Sequence, residues 1–261
     1  MALTTYIIDG DKGGVGKSMV ARALTHYFVS KPSENRPKLA IYDADRSNPD
    51  VCGEGGLRAD PSVGIIATGL IDLATETGWI EFAEIVSKLT ALGQKSDVVC
   101  IVNMPAQIGT TAFDGSIGIV KEVLREANAV PIWLLSRTQE SLRALNYRVK
   151  RMPSRYQHGL IVKNLFFGSA DKFLLWEQDD LYSLVADKQW IETEIPELND
   201  VLTVKIARRP FHEALHKGID GEALTLGYQL ALKQWLERTN KALEAIDKVS
   251  ALQTSQDGDE E

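Results

Sequence analysis

Residues 6–18 read YIIDGDKGGVGKS, and residues 18–30 have the apolar spacing of a helix. A short apolar run therefore leads into a glycine-rich loop, and the loop leads into a helix. Glycines let successive backbone N–H groups point towards one anion, and the helix N-terminus adds partial positive charge at the same place. This order predicts a loop that binds the phosphates of a nucleotide.

Two side chains of this loop suit ATP and magnesium. Lys17 would reach the β and γ phosphates, and the Ser18 hydroxyl would coordinate Mg²⁺. The common pattern G-x-x-x-x-G-K-[ST] would place its first glycine at position 11, where this chain has an aspartate. The predicted nucleotide contacts in the loop are Asp11, Lys12, Gly13, Gly14, Val15, Gly16, Lys17 and Ser18.

The string KGGVGKS at positions 12–18 resembles the variant phosphate loop of the ParA/MinD family of P-loop ATPases, which reads K-G-G-x-x-K-[ST]. The resemblance implies an ATP hydrolase that forms an ATP-dependent homodimer. It also implies that Lys12 reaches across the dimer to the nucleotide of the other subunit. A second cation beside the γ-phosphate would offset the charge that grows during transfer, so Lys12 and Lys17 are both catalytic candidates.

Short apolar runs recur along the chain, at 5–9, 38–43, 98–103, 131–136, 160–165 and 190–195, and helical patterns lie between them, at 79–92, 116–128 and 139–151. This alternation predicts an α/β fold of the P-loop NTPase type, with a mostly parallel central sheet and helices on both faces. A last helical segment, 221–251, has an apolar stripe. We expect a single ATPase domain over 1–251 and a disordered acidic tail over 252–261.

Two aspartates follow the second apolar run, in the order Asp43-Ala44-Asp45. They resemble the D-x-D switch segment of the ParA/MinD family. The resemblance implies that Asp45 positions or activates the attacking water, and that Asp43 helps to hold the magnesium shell or the loop. The predicted metal site is then Ser18, Asp43 and Asp45. The alternative is that these acids only close a strand and cap a turn.

Other matches to the family are shorter. The run 98–103 resembles the strand that ends in Asp-x-Pro, but Asn103 replaces the aspartate. An amide can still bind a magnesium-bound water without adding negative charge, so we expect slow hydrolysis. Asn164, Pro196 and Glu197 match residues that lie beside the adenine in the family, although each could equally be a strand end or a turn.

Composition limits the remaining classes. The formal charge of −7 gives no general attraction to nucleic acid, and two cysteines, Cys52 and Cys100, cannot form a disulfide framework or a four-ligand zinc site in one chain. The apolar stretches are shorter than a membrane span needs. These features predict a cytoplasmic protein without stable membrane insertion.

One stretch, 137–163, nevertheless carries seven basic residues and one acid. Its candidate DNA-binding or partner-binding residues are Arg143, Arg148, Lys150, Arg151 and Arg155. The alternative is a solvated helix face whose charges pair with acids elsewhere. ParA relatives bind DNA nonspecifically when ATP is bound, so the resemblance implies the same partner here.

The function that these features predict is a nucleotide-dependent dimerisation switch. The resemblance suggests a role in positioning, partition or conjugative transfer of plasmid DNA, with DNA or a cognate plasmid-encoded protein as partner. The alternatives are a metabolic P-loop enzyme, such as a ligase-like synthetase or small-molecule kinase, and a metal-insertion ATPase. Stimulation of ATP hydrolysis by DNA or a protein would favour the switch, and stimulation by one metabolite would favour the enzyme.

Overall fold

The computed structural model describes residues 2–105, 117–151, 158–216 and 221–256. Its centre is a seven-stranded sheet in which every neighbouring pair of strands is parallel. The strands are β1 (Leu3–Gly10), β2 (Lys38–Asp43), β3 (Ile65–Leu70), β4 (Val98–Asn103), β5 (Ala129–Leu135), β6 (Leu160–Asn164) and β7 (Ile191–Ile195). The predicted α/β class is confirmed, and the chain has a P-loop NTPase fold.

Strand β1 lies at the centre of the sheet, in the order β3-β2-β4-β1-β5-β6-β7. Asn103 at the end of β4 is opposite Ile8 of β1 on one side and Asp43 of β2 on the other. Since the strands are parallel, their carboxyl ends meet at one edge, where the phosphate loop also begins. This edge is where open α/β sheets bind ligands.

The sequence patterns did not predict β3, which forms one edge of the sheet. Its residues are mostly half-buried, and Thr68 and Gly69 interrupt its apolar run. Gly69 packs closely on Tyr42, because a Cβ at position 69 would lie 3.2 Å from the tyrosine ring. An edge strand is exposed along one side, so it lacks the continuous apolar run of a central parallel strand.

Ten α-helices and four short 3-10 helices are described, and the α-helices cover both faces of the sheet. They are α1 (Lys17–Val29), α2 (Glu76–Gly93), α3 (Ile117–Glu126), α4 (Gln139–Arg151), α5 (Leu174–Glu177), α6 (Asp180–Asp187), α7 (Asp200–Ile206), α8 (Phe211–Ala214), α9 (Leu226–Leu243) and α10 (Ala245–Gln256). Helices α1 and α7–α10 contribute to one apolar core. Helices α2 and α3 contribute to a second core, and α4–α6 to a third.

The long C-terminal segment differs from the single helix expected over 221–251. It forms α9 and α10, and α10 continues to Gln256, past the predicted domain boundary. Its apolar stripe is buried as expected, at Leu232, Trp235, Leu243, Ile246 and Val249. Residues 257–261 of the predicted tail lie outside the described ranges. In the described part of the chain, every helix is too short or too polar to span a bilayer.

Candidate functional site

The phosphate loop turns sharply between β1 and α1. Gly14 and Gly16 have φ angles of 77° and 102°, which side chains with a Cβ rarely adopt. A Cβ on Gly16 would lie 2.5 Å from Nδ2 of Asn164. That amide donates a hydrogen bond to the Val15 carbonyl at 2.9 Å. The loop is therefore fastened to the end of β6, and position 16 has room only for glycine.

Lys17 lies inside this loop and is 6% exposed. Its Nζ donates to the Lys12 carbonyl at 2.9 Å. Burial lowers the pKa of Lys17, and the negative charges of Asp9, Asp45 and Asp11 oppose that shift. The Lys12 side chain, in contrast, is exposed, and Ser18 is half-buried. The two lysines of the loop thus face different surroundings, one enclosed by the loop and one open to an incoming group.

A buried ion pair lies next to the start of the phosphate loop. Asp9 is near the end of β1, and its Oδ2 lies 3.0 Å from Nε of Arg148 in α4. Its other oxygen, Oδ1, accepts a hydrogen bond from the Gly10 N–H at 2.8 Å. The side chains of Asp9 and Arg148 are 8% and 9% exposed. The ion pair therefore joins the strand that precedes the loop to a helix far away in sequence.

This position of Arg148 corrects the predicted DNA-binding face. Arg148 is buried against Asp9 and is not available to a partner. Lys163, which belongs to the same basic stretch, is also buried, and its Nζ lies 2.7 Å from Glu192. Arg143 and Lys150 are exposed on α4, as that face requires. The side chains of Arg151 and Arg155 lie outside the described part of the structure.

Asp43 is fully buried and accepts four hydrogen bonds. Its Oδ1 accepts from Nδ2 of Asn103 at 2.8 Å and from the Asp45 N–H at 3.1 Å. Its Oδ2 accepts from the N–H groups of Val51 and Cys52, at 2.8 and 3.3 Å. Of the two roles expected for Asp43, this geometry favours holding the loop over coordinating the metal, because both oxygens are already engaged.

The remaining polar groups of the sheet edge suit a magnesium ion. The buried Oδ1 of Asn103 has no hydrogen-bond partner among the described residues, so it can accept from a metal-bound water. Oδ1 of Asp45 accepts from Ser47 Oγ at 2.6 Å and from the Asn48 N–H at 3.2 Å. Ser18, Asp45 and Asn103 together offer a hydroxyl, a carboxylate and an amide oxygen, the hard oxygen donors that Mg²⁺ prefers.

The Asn103→Asp variant should be less stable than the wild type in the absence of nucleotide, by about 2 kcal/mol near neutral pH. The new carboxylate would replace the amide that donates to Asp43, and two buried carboxylates repel each other. Lowering the pH lets them share a proton, so the loss should grow as pH rises. Magnesium should offset the repulsion, so ATP binding should need less Mg²⁺.

Thermal unfolding across pH and ATP titrations at several Mg²⁺ concentrations would measure both effects. Asn35→Asp, which adds the same charge at an exposed position, is the matched control. If Asn103→Asp leaves stability, Mg²⁺ dependence and the ATPase rate unchanged, this account of position 103 is wrong.

A cavity of about 310 Å³ adjoins the phosphate loop and suits a purine base. It is lined by Gly14, Gly16, Met19, Val20, Asn164, Phe166, Ile195, Pro196, Leu198, Asp200, Thr203 and Trp235. Asn164 and Pro196 line it, as predicted. Glu197 is exposed and does not line it, which corrects that prediction. Its neighbours Leu198 and Asp200 point to the cavity instead.

Several lining residues could not be found by pattern. Phe166 is 54% exposed at the cavity, where its ring can stack on a base. Trp235 comes from distant α9, and its Nε1 donates to the Pro196 carbonyl at 2.8 Å. Only the short distance in sequence between Asn164 and Phe166 was a usable signal. The others depend on helix packing.

The segment after β2, residues 44–58, carries Asp45 and is here called the switch loop. Arg58 fastens its far end, donating to the carbonyls of Cys52, Gly53 and Leu57 at 2.7–2.8 Å. Arg208 fastens its middle: Nε lies 2.5 Å from Asp50, and a terminal N–H donates to Asn48 Oδ1 at 3.1 Å. Both arginines restrict the loop that holds Asp45.

Arg208 follows α7, whose residues Asp200 and Thr203 line the base cavity. Ala207, which lies between the end of α7 and Arg208, has φ 44° and ψ −124°, an unfavourable conformation for a residue with a Cβ.

We expect Arg208→Gln to lower kcat for ATP hydrolysis about five- to tenfold, because Asp45 would be held less firmly. The ATP KM should change less than about twofold, and stability by less than about 1 kcal/mol, because the ion pair is exposed.

Steady-state kinetics of ATP hydrolysis would measure this effect. Arg125→Gln, which breaks an exposed ion pair with Glu122 on α3, is the control. A kcat equal to that of the wild type would show that Arg208 does not position the switch loop.

In the part of the chain that the structure describes, the two cysteines and the other residues of metal-ligand type do not form a second site. Cys52 and Cys100 are buried and free, and burial raises the pKa of both thiols, that of Cys52 to about 12. In the described ranges, no group of three His, Cys, Asp or Glu side chains is arranged to hold a metal ion.

In sequence, the chain is similar to the protein MobD of Acidithiobacillus ferrooxidans. The two are 26% identical over 248 residues, which cover 94% of this chain and 99% of MobD. No family model matches the chain.

Solved structures with a similar arrangement are more distant in sequence. The cell division protein MinD of Aquifex aeolicus is 16% identical, with a TM-score of 0.49 and coverage of 94% of this chain and 97% of MinD. A putative plasmid partition protein of Borrelia burgdorferi B31, bound to AMPPNP, is 16% identical, with a TM-score of 0.48 and coverage of 92% and 99%. The signal recognition particle receptor FtsY of Elizabethkingia anophelis is 12% identical, with a TM-score of 0.47, covering 90% of this chain. The chain spans 66% of the length of that receptor.

The parallel sheet and the glycine loop between β1 and α1 define the fold. The string KGGVGKS and the acids and amides at the sheet edge are the features that resemble the ParA/MinD family. The chain has the P-loop NTPase fold and resembles the ParA/MinD ATPases.

Proposed function

We propose that this chain is a ParA/MinD-like ATPase that acts as a nucleotide-dependent dimerisation switch. The observation that carries the proposal is the contrast between the two loop lysines. Lys17 is enclosed by the loop, where it can neutralise the phosphates of its own nucleotide. Lys12 is exposed, so its side chain is free to meet the nucleotide of a second copy.

In this proposal, different residues bind the nucleotide and promote its hydrolysis. Loop N–H groups and Lys17 hold the phosphate chain, and the cavity beside Asn164 and Phe166 takes the base. Mg²⁺, held with Ser18 and Asp45, would neutralise charge on the phosphate oxygens. Asp45 would orient the attacking water through its carboxylate. Asn103 would hold a metal-bound water through its free Oδ1.

We expect this hydrolysis to be slow, for two reasons that come from the sheet edge. Asn103 brings no negative charge to the metal, so it polarises a bound water less than an aspartate would. One oxygen of Asp45 is also occupied by Ser47 and Asn48. A slow step suits a switch, because the ATP-bound dimer then lasts long enough to engage a partner.

The partner that we propose is DNA bound nonspecifically, with a cognate plasmid-encoded protein as the other outcome. Arg143 and Lys150 support DNA, because residues seven apart on α4 lie on nearly the same face and both are exposed. The role would be positioning, partition or conjugative transfer of plasmid DNA in the cytoplasm.

The test is the oligomeric state of wild type and Lys12→Ala with Mg²⁺ and either ATP or ADP, measured by size-exclusion chromatography with light scattering. We expect a wild-type dimer with ATP and a monomer with ADP. Lys12→Ala should bind ATP but stay monomeric, whereas Lys88→Ala, an exposed lysine on α2, should behave like the wild type. A wild-type monomer in every condition would remove the switch. If the wild type dimerises with ATP, adding DNA to that dimer would distinguish DNA from a cognate protein as the partner.

A further inference from the structure

A second concave site adjoins the phosphate loop at Lys12 and shares no lining residue with the base cavity, and we call it the basic cleft. Its volume is about 320 Å³, and its lining residues are Lys12, Ser136, Arg137, Thr138, Phe167 and Lys172. None of these lines the base cavity. The adjacent rings of Phe166 and Phe167, which meet edge to face with centroids 5.4 Å apart, line one cavity each.

The charge of the basic cleft favours an anion. Lys12, Arg137 and Lys172 are all exposed. In the described part of the chain, no carboxylate lies within 4.0 Å of the Lys12 or Arg137 cation, and Lys172 pairs only with its exposed neighbour Asp171, at 3.6 Å. Three cations that line one cleft repel one another, and the half-buried Asp11 carboxylate, which contacts the cleft hydroxyls, offsets only part of that charge. A bound anion would relieve that repulsion.

Hydroxyls and a helix end add to this charge. Ser136 Oγ and Thr138 Oγ1 lie 3.1 Å apart, and both contact Oδ2 of Asp11, at 3.4 and 3.5 Å. These long contacts leave the hydroxyls able to turn towards a ligand. Helix α4 starts at Gln139, directly after Thr138, so its N-terminal N–H groups and partial positive charge lie beside the cleft.

The backbone beside the cleft fits the cations closely. Gly168 has φ 120°, and a Cβ there would lie 3.4 Å from the Arg137 guanidinium and from the Lys172 side chain. A residue with a Cβ would be strained at this φ, although its Cβ would lie at ordinary van der Waals distance from both side chains. Glycine therefore favours the turn that places Arg137 and Lys172 near each other.

We propose that the basic cleft is a second anion site that binds the phosphate chain of a nucleotide, with Arg137 and Lys172 acting beside Lys12. This proposal rests on the proposed switch in one respect only, which is where the ligand of the cleft comes from. That source is either the nucleotide held by a second copy of this chain or a free polyphosphate compound. The phosphate chemistry is the same in both cases, because clustered lysine, arginine and hydroxyl donors bind phosphate oxygens.

The first arm of the test measures the second-copy source. Arg137→Gln with Lys172→Gln removes two cations and keeps Lys12, and Lys88→Gln with Lys121→Gln removes two exposed cations on α2 and α3 as the matched control. If the ligand is the second copy's nucleotide, the dimer Kd with ATP should rise at least about tenfold in the cleft variant. The affinity of the monomer for ATP, measured with a fluorescent analogue, should change less than about twofold.

The second arm measures the free source in a chain whose phosphate loop is disabled by Lys17→Ala. Tripolyphosphate should bind this chain, as measured by calorimetry, and adding the two cleft substitutions should weaken that binding at least about tenfold. This arm does not need a dimer, so it tests the cleft even if the proposed switch fails. If the cleft substitutions change neither the dimer Kd nor tripolyphosphate binding, with folding intact by circular dichroism, the proposal is overturned.

Discussion

Replacing Lys17 by alanine should weaken ATP binding by about 100-fold while leaving the protein folded. Lys17 is nearly buried in the phosphate loop, and its only hydrogen-bond partner in the described structure is the Lys12 carbonyl. Its charge is therefore directed at the place where the phosphates bind. Two charge-assisted contacts to phosphate oxygens account for a loss of this size.

The same substitution should not lower stability. Burial lowers the pKa of Lys17, which means that folding works against its charged form. Removing the ammonium removes that penalty, so the melting temperature should stay the same or rise. ATP affinity of the wild type should also fall as pH rises, because Lys17 loses its proton at a lower pH than an exposed lysine.

Calorimetric titration with ATP and Mg²⁺ and thermal unfolding would measure both properties, with Lys88→Ala as the control for loss of one exposed lysine. ATP affinity equal to that of the wild type would contradict the assignment of Lys17. A strong fall in melting temperature would instead mean that Lys17 is needed to fold the loop.

The second large effect concerns Arg148. We expect Arg148→Ala to lower the free energy of unfolding by about 3–5 kcal/mol, because it leaves the Asp9 carboxylate buried without its cation. Asp9 directly precedes the phosphate loop, so ATP binding should weaken as well. The double variant Asp9→Asn with Arg148→Met should recover much of the stability, since it removes both charges.

Urea unfolding would measure these changes. Lys150→Ala is a sharp control, because it lies two residues further along the same helix but is exposed, and it should change stability by less than about 0.5 kcal/mol. A loss below about 1 kcal/mol for Arg148→Ala would contradict the ion pair. DNA binding by Lys150→Ala, in turn, reports on the surface of α4 without disturbing the core.

The comparison of Arg148 with Lys150 shows what sequence patterns could and could not predict. The phosphate loop was predictable because its chemistry lies within seven consecutive residues, and the central strands because each is a continuous apolar run. Basic residues lie on both the buried and the exposed face of α4, so the residue type alone does not distinguish Arg148 from Arg143 or Lys150. Only contact with Asp9, which is far away in sequence, buries Arg148.

The same reason explains the other differences. Glu197 is close in sequence to the base cavity, but the turn after β7 directs Leu198 and Asp200 into it. Asp43 and Asn103 were each predicted to act near the magnesium ion, yet their hydrogen bond could not be read from either segment alone. Strand ends can be located by pattern, whereas the partner of each side chain depends on the register between strands.

The hydrogen bond from Asn164 to the Val15 carbonyl also has a consequence for synthesis on the ribosome. The phosphate loop is made among the first twenty residues, but one of its supports is made 149 residues after Val15. Strands β4 and β5, which flank β1, are also made later. A nascent chain that ends before β6 therefore has the complete KGGVGKS string without the structure that shapes it. Nucleotide binding should begin only after Asn164 has left the exit tunnel.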